Sequence, residues 1–584
     1  MLDFGLRVLP LISRLPKSPR RPWQRAPCRR TIPLLTRRGV ASASSNQRKP
    51  YYVTTPIFYV NASPHVGHLY TLILADILKR WQVLLGNNDA QLLTGTDEHG
   101  IKIQQAAASH GLEPIKLCDQ NCQTFKDLAQ KANVQHDHFI RTTDPEHRDA
   151  VQYFWEMLDH RGYIYTAKHE GWYSVSDETF YPSNAVHATL DPATGRKIMS
   201  TIETGKEVEW FSETNYHFRL SAFKDRLLDF YRENPTFIRP KRYMDNIVQS
   251  VSSGLTDLSI SRPVQRLTWG IRVPGDDTQT IYVWLDALIN YLTYAGYPFT
   301  PGKENQSIWP ANVHVVGKDI LRFHCVYWPA FLMALDLPLP RQVLSHAHWT
   351  IGREKMSKST GNVVNPMYAL ARFGVDPLRF YLAHDGGLSD DADYENAFVT
   401  ERYKKTLQWG VGNLTSRLVR SKKWNVRRSI EWGVEGRFPP PSEADRKHQQ
   451  LLEGIRDVTR SWMDDLNPRK AAESVVGIIH ETNKYFQEAR PWSMAEQSGN
   501  TEPTELSRVI YNTAESLRIA GILLQPFMPE KSARLLDMLG VAGDPEKRSF
   551  EAAIFGADEH YGVPLVELKK GTEATLFPPL VTEN

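Results

Sequence analysis

Residues 50–68 read PYYVTTPIFYVNASPHVGH, and they set the frame for the rest of the chain. The run from Tyr51 to Val60 is β-branched and aromatic, as in a strand buried on both faces, and it breaks at the turn cluster Asn61-Ala62-Ser63-Pro64. A helical pattern follows from about Val66 to Leu85. Strand, polar turn and helix in that order open a nucleotide-binding α/β domain, in which ligands gather at strand carboxyl ends. His65 and His68 stand at the helix start, where free backbone N–H groups and the helix dipole favour phosphate. Their imidazoles have hydrogens to offer phosphate oxygens, and Gly67 lets an adenine approach the backbone. Taken alone, two histidines at this spacing on a helix start are more often structural or zinc-binding side chains.

Working outward, a strand over Ala90–Thr94 runs into GTDEHG at 95–100, where the same crevice would collect polar groups. From His169 to Ser212 the text becomes short, aromatic and turn-rich, the pattern of a small β-rich insertion. Helical periodicity returns in FRLSAFKDRLLDFY at 218–231, and the α/β pattern resumes at Thr280–Trp284 and Val313–Gly317. The expectation is one nucleotide-binding fold split by an insertion. Between Gly352 and Gly361 lies Lys355-Met356-Ser357-Lys358-Ser359. Two ammonium groups three apart on a loop suit a leaving pyrophosphate, stabilised as its charge develops; a solvated basic loop is the other reading. From Thr400 to about Leu539 the pattern is helical, a separate all-α module.

Composition narrows the class. The chain has 584 residues, 41% of them hydrophobic, with a formal net charge of +4. At about 100–200 residues per domain this implies two to four modules, and the mild basicity suits an anionic partner without naming one. Of the cysteines, Cys28, Cys118, Cys122 and Cys325, none forms a CxxC pair. Cys118 and Cys122 share a helical stripe with Ile115, Phe125 and Ala129, which reads as packed core ahead of a metal site. No apolar run approaches the ~18–20 residues of a membrane helix. Residues 1–48 carry eleven arginines and lysines, several serines and a single acid, Asp3. That is the make-up of an organellar transit peptide, mitochondrial or chloroplast, with a basic RNA-gripping arm as the alternative.

The blocks TTPIFYVNASPHVGH, LLTGTDEHGIKI, YVWLDALINYL, HVVGKDILRFH and KMSKSTGNVVNP, in this order, resemble the methionyl-tRNA synthetases of class I. The resemblance runs from about Lys49 to Leu539. It implies a Rossmann-like class I catalytic domain over 49–165 and 257–345, interrupted by a connective insertion over 166–256. A loop and stem-contact region over 346–399, a helical anticodon-binding domain over 400–560 and a tail over 561–584 would follow. It implies ATP, with Mg2+, as co-substrate, methionine and tRNA(Met) as partners, and, with the presequence, the mitochondrial matrix as location. By the same resemblance His65, His68, Lys355 and Lys358 are catalytic, and Gly67, Gly317, Asp319, Lys355, Ser357 and Lys358 hold ATP.

Ile57, Tyr59, Trp284, Ala287, Leu288, Tyr291, Ile320 and His324 would line the methionine pocket, and Asp97 would anchor its ammonium group. Aromatic and aliphatic walls suit an unbranched thioether. Core packing is the competing reading for the apolar members, and helix capping for Asp97 and Asp319. Asn413, Arg417 and Trp492 match residues with which the family reads an anticodon, a task of base-edge hydrogen bonds and stacking; Trp492 also reads as a plug at a helix end. Where relatives carry cysteine zinc knuckles, Trp172–Asp177 has no cysteine, so no structural zinc is expected. The stretch after Leu539 is too short for an appended dimerisation domain, which makes a monomer the expectation. The competing functions are a cysteine-specific synthetase and a catalytically silent RNA-binding relative; the two intact signatures count against silence.

Overall fold

The computed structural model describes residues 49–584, apart from 176–178, 182, 192–193, 203–204, 357–361, 498–502, 569–570, 572–574 and 581–584. Residues 1–48, expected to be a transit peptide, Ser357 and Lys358 therefore lie outside the described residues, as does the Lys355 side chain.

Seven parallel strands form the central sheet. Ile238–Arg239, Gln342–His346, Val313–Gly317, Tyr52–Thr54 and Gln91–Asp97 lie side by side in that order, with His138–Arg141 on the far edge of Gln91–Asp97. The opening run is not one strand. Pro56 has no N–H to give the ladder, so the chain pairs as Tyr52–Thr54, lets go, and pairs again as Phe58–Tyr59 along the same edge of Gln91–Asp97. Strand order reverses at Tyr52–Thr54, which has Gln91–Asp97 on one side and Val313–Gly317 on the other. A crevice opens at such a switch point beyond the carboxyl ends of the strands. The Val66–Leu84 helix starts there and is buried along most of its length, between the sheet and the helices behind it.

Ile164–Ser174 and Glu207–Phe218 form the long antiparallel spine of the insertion, with the shorter strands Thr179–Tyr181, Val186–Leu190 and Lys197–Thr201 beside them. Its small core is aromatic and cationic: the Arg266 guanidinium lies 3.9 Å from the ring centres of both Tyr173 and Phe211. The segment Thr280–Trp284 departs from the sequence expectation. Asp276–Ile281 joins an antiparallel three-stranded sheet, and Val283–Leu288 is a helix. The β-branched text was a strand, but the turn at Pro274-Gly275, with Gly275 at φ 77°, folds it back on Arg272–Val273 and takes it out of the parallel sheet.

Cys118, Cys122, Phe125 and Ala129 are buried on the Pro114–Lys131 helix. Beyond the sheet, Asn396–Arg402, a π-helical stretch Tyr403–Gly412 and Asn413–Arg420 run as one rod into the bundle of Val426–Val434, Glu443–Asp464, Pro468–Ala489, Glu505–Leu523 and Pro529–Leu539. The end of the chain returns to this bundle, where Tyr561, Leu576 and Phe577 are buried. Arg379, fully buried, ties the layers together. Its guanidinium donates to Asp76 on the Val66–Leu84 helix at 2.6 Å and to the carbonyls of Pro526 and Phe527 at the end of Glu505–Leu523, at 3.0 and 3.3 Å.

Candidate active site

His65 caps the Val66–Leu84 helix with its own side chain. The Gly67 N–H donates to His65 Nδ1 and the His65 N–H donates to His68 Nδ1, both at 3.0 Å, a reciprocal cap that satisfies two helix-start donors. With both Nδ1 lone pairs engaged, a neutral ring at either position carries its hydrogen on Nε2. The structural and functional readings of these histidines are thus compatible: capping fixes the tautomer that donates. Phe58 and Phe125 meet the His68 ring edge-on at 5.3 and 5.2 Å between centroids. A Cβ on Gly67 would sit 2.8 Å from the His65 ring, so this glycine makes room for the capping histidine itself. Gly317, at the end of its strand, likewise makes room for Asp319, whose Oδ1 would lie 2.7 Å from an added Cβ.

These groups face a cavity of about 350 Å³ at the switch point. Every described residue expected for methionine or ATP lines it: Ile57, Tyr59, Asp97, Trp284, Ala287, Leu288, Tyr291, Ile320 and His324, with His65, Gly67, His68, Gly317 and Asp319. They come from the broken first strand and the start of the Val66–Leu84 helix, the end of Gln91–Asp97, the Val283–Leu288 and Asn290–Tyr294 helices, and the end of Val313–Gly317 with the segment after it. Trp284 stacks on Phe323 at 3.6 Å with the rings 11° apart, and the Lys102 ammonium stands 5.3 Å over the Tyr59 ring. His324 sits in a π-helical turn, Phe323–Tyr327. Its Nδ1–H donates to the Ile320 carbonyl at 3.0 Å, leaving Nε2 to accept the Tyr291 hydroxyl hydrogen at 2.7 Å. Burial drives the His324 pKa down to about 4, so the ring is neutral and this donor order is the one present at neutral pH.

The cavity has further members that the sequence does not single out. His346 and His348, from SHAHWT at 345–350, line the cavity with Thr71, Trp349 and Met356. Burial holds His346 at about 4 as well; its Nδ1 donates to the Ala347 carbonyl at 2.9 Å and its Nε2 lies 2.8 Å from Thr71 Oγ1. His348 Nε2 is 3.3 Å from Asp319 Oδ1. The signal was present as two histidines just past a strand, but only the sheet order brings that strand end beside His65. Among the described residues, no group of three or more His, Cys, Asp or Glu is arranged to hold a metal ion.

The helical module brings Arg417 and Trp492 together. The Arg417 guanidinium lies 5.2 Å over the Trp492 ring and 4.8 Å over Phe486, with its Nη2 3.2 Å from Gln487 Oε1. Asn413, four residues before Arg417, is exposed, and so is Trp409, at 58%, a residue the sequence did not single out.

Two family models match the chain: tRNA synthetases class I (M) over residues 51–419, and the anticodon binding domain of methionyl tRNA ligase over residues 439–574. A probable mitochondrial methionine–tRNA ligase of Neurospora crassa is 50% identical over 569 residues, covering 95% of this chain and 89% of its own. The human mitochondrial methionine–tRNA ligase is 42% identical, over 91% of both chains. Among solved structures, the methionyl-tRNA synthetase of Mycobacterium tuberculosis in complex with methionyl-adenylate superposes with a TM-score of 0.81 at 38% identity, covering 91% of this chain and all of its own.

Proposed function

The chain belongs to the methionyl family of class I tRNA synthetases, and on that premise we propose how its residues divide the work. The enzyme activates methionine with ATP as methionyl-adenylate, releasing pyrophosphate, and transfers the methionyl group to tRNA, releasing AMP. In the first step a methionine carboxylate oxygen attacks the α-phosphorus in line while the bond to pyrophosphate breaks. Asp97 holds the ammonium group, and Ile57, Tyr59, Trp284, Ala287, Leu288, Tyr291, Ile320 and neutral His324 enclose the thioether. His65 and His68 donate Nε2–H to phosphate oxygens beside the helix N-terminus. Gly67 and Gly317 admit the nucleotide backbone-close, and Asp319 faces the ribose. Lys355, Ser357 and Lys358 receive the leaving pyrophosphate, with Mg2+ arriving on ATP as part of the substrate.

In the second step the terminal ribose hydroxyl of tRNA(Met), the 2′-OH by class, attacks the mixed-anhydride carbonyl. Asn413, Arg417 and Trp492 read the anticodon. One chain supplies both the cavity and the helical module, which supports a monomer. The basic, acid-poor residues 1–48 and the mitochondrial relatives support the mitochondrial matrix as the place of work. The observation that carries the reading is the single cavity in which residues from four separated segments meet.

Single-turnover adenylation of Lys358→Ala tests it. A contact made as pyrophosphate leaves should lower the rate of adenylate formation by about a hundredfold or more, with methionine affinity nearly unchanged. A loss confined to methionine affinity would contradict the assignment.

A further inference from the structure

Behind the amino-acid side of the cavity lies a buried group that the reaction as described does not use. Asp286, 1% exposed, accepts from two imidazoles at once: His99 Nδ1 at 2.7 Å on one oxygen and His147 Nε2 at 2.8 Å on the other. His147 is fully buried and its Nδ1 is 3.1 Å from Thr293 Oγ1, while His99 packs edge-on against Trp269 at 5.7 Å. The two histidines hold the Asp286 carboxyl below its ordinary range in spite of burial.

The sequence positions of these groups make the arrangement informative. His99 is two residues beyond Asp97, and Asp286 lies between Trp284 and Ala287. The two walls of the pocket are therefore joined, 187 residues apart in sequence, by the His99–Asp286 bond. The strand pairing of the described residues puts Gln91–Asp97 in the parallel sheet and ends the other ladder at Ile281, so no backbone ladder spans the walls. His147, from the Pro145–His160 helix, fixes the free side of the carboxylate from behind.

We propose that His99, Asp286 and His147 are positioning residues that set the distance between the Asp97 wall and the Trp284–Leu288 wall, and so the fit of the methionine side chain and ammonium group. The inference rests on the assignment of this cavity half to methionine. The bridge needs hydrogen-bond order more than charge. An asparagine at 286 can accept from His99 with its oxygen and donate to His147 Nε2 with its amide, the His147 hydrogen then moving to Nδ1 toward Thr293.

The test is ATP–pyrophosphate exchange on the full chain, with KM measured separately for methionine and ATP. Asp286→Ala should raise the methionine KM by about tenfold to a hundredfold with the ATP KM within about twofold, and Asp286→Asn should recover most of the loss. Equal rises in both KM values, or an asparagine variant no better than alanine, overturns the proposal. If Asp286→Ala does not fold, His147→Leu against His147→Gln gives the same comparison, since glutamine keeps a donor toward Asp286 and leucine does not. Asp97→Asn is measured in parallel. If it leaves the methionine KM unchanged, the pocket assignment itself fails; if it raises that KM while the Asp286 and His147 variants do not, only the bridge fails.

Discussion

Trp492 is half-buried and shares the Arg417 guanidinium with Phe486, so its ring is held in place before any RNA arrives. A fixed aromatic face stacks a splayed base for about 1–3 kcal/mol. Trp492→Ala is accordingly expected to cut kcat/KM for tRNA charging by about tenfold to a hundredfold while leaving pyrophosphate exchange near normal. Equal damage to both steps would make Trp492 a structural plug. At this scale much was legible. His65, His68 and the pocket aromatics could be named because a strand–turn–helix text and five ordered blocks frame them. His346, Thr71, Asp286 and His147 were not named, because each owes its place to a contact with a residue far away in the chain: His346 with Thr71, and Asp286 with His99 and His147. Local pattern carries no trace of such pairings.

Among the elements, the Val66–Leu84 helix shows how a signature proposed to be catalytic doubles as a folding device. Gly67 lends its N–H to His65 and leaves space for that ring. Gly67→Ala places a methyl 2.8 Å from the His65 ring and forces the cap apart. Loss of a cap costs about 0.5–2 kcal/mol. The expected result is a thermal midpoint lowered by a few degrees and, because the two rings lose their fixed tautomer, an exchange rate depressed far more than the midpoint would explain. An exchange rate unaffected by the substitution would detach the cap from catalysis. The strand at 276–281 illustrates where reading failed: period and composition identify a strand, but pairing partner and direction depend on the turn at Pro274-Gly275 and on the register with Ser261–Pro263.

For the whole molecule, burial sets a pH dependence. His324, His346 and His448 are each pushed by burial from 6.5 to about 4. The unfolded chain therefore binds protons that the native chain refuses as pH falls below about 6.5, and stability is lost by up to about 1.4 kcal/mol per pH unit for each histidine until pH approaches 4. Carboxylates with lowered pKa act only below about 4; Asp376 and Glu505, raised by burial, oppose the loss but are outnumbered by these histidines together with His136, His217 and His314, which burial also lowers. The urea midpoint should fall steeply between pH 6.5 and pH 5; a midpoint unchanged over that range would mean these histidines are not buried neutral. The layered plan, an α/β domain with an insertion and a helical module, was legible because each part has its own periodicity. The hub at Arg379, which joins three layers through one guanidinium, was not, since nothing in its local text sets it apart from an exposed helical arginine.

The central claim is methionine-specific activation at the cavity beyond the strand ends at the switch point, and amino-acid-dependent ATP–pyrophosphate exchange tests it most directly. The full chain, assayed with methionine, cysteine, leucine, isoleucine and valine, is expected to exchange with methionine and to show no more than background with the other four. Exchange driven best by another amino acid would contradict the pocket assignment, and no exchange with any of the five from folded protein would contradict the enzymatic reading as a whole.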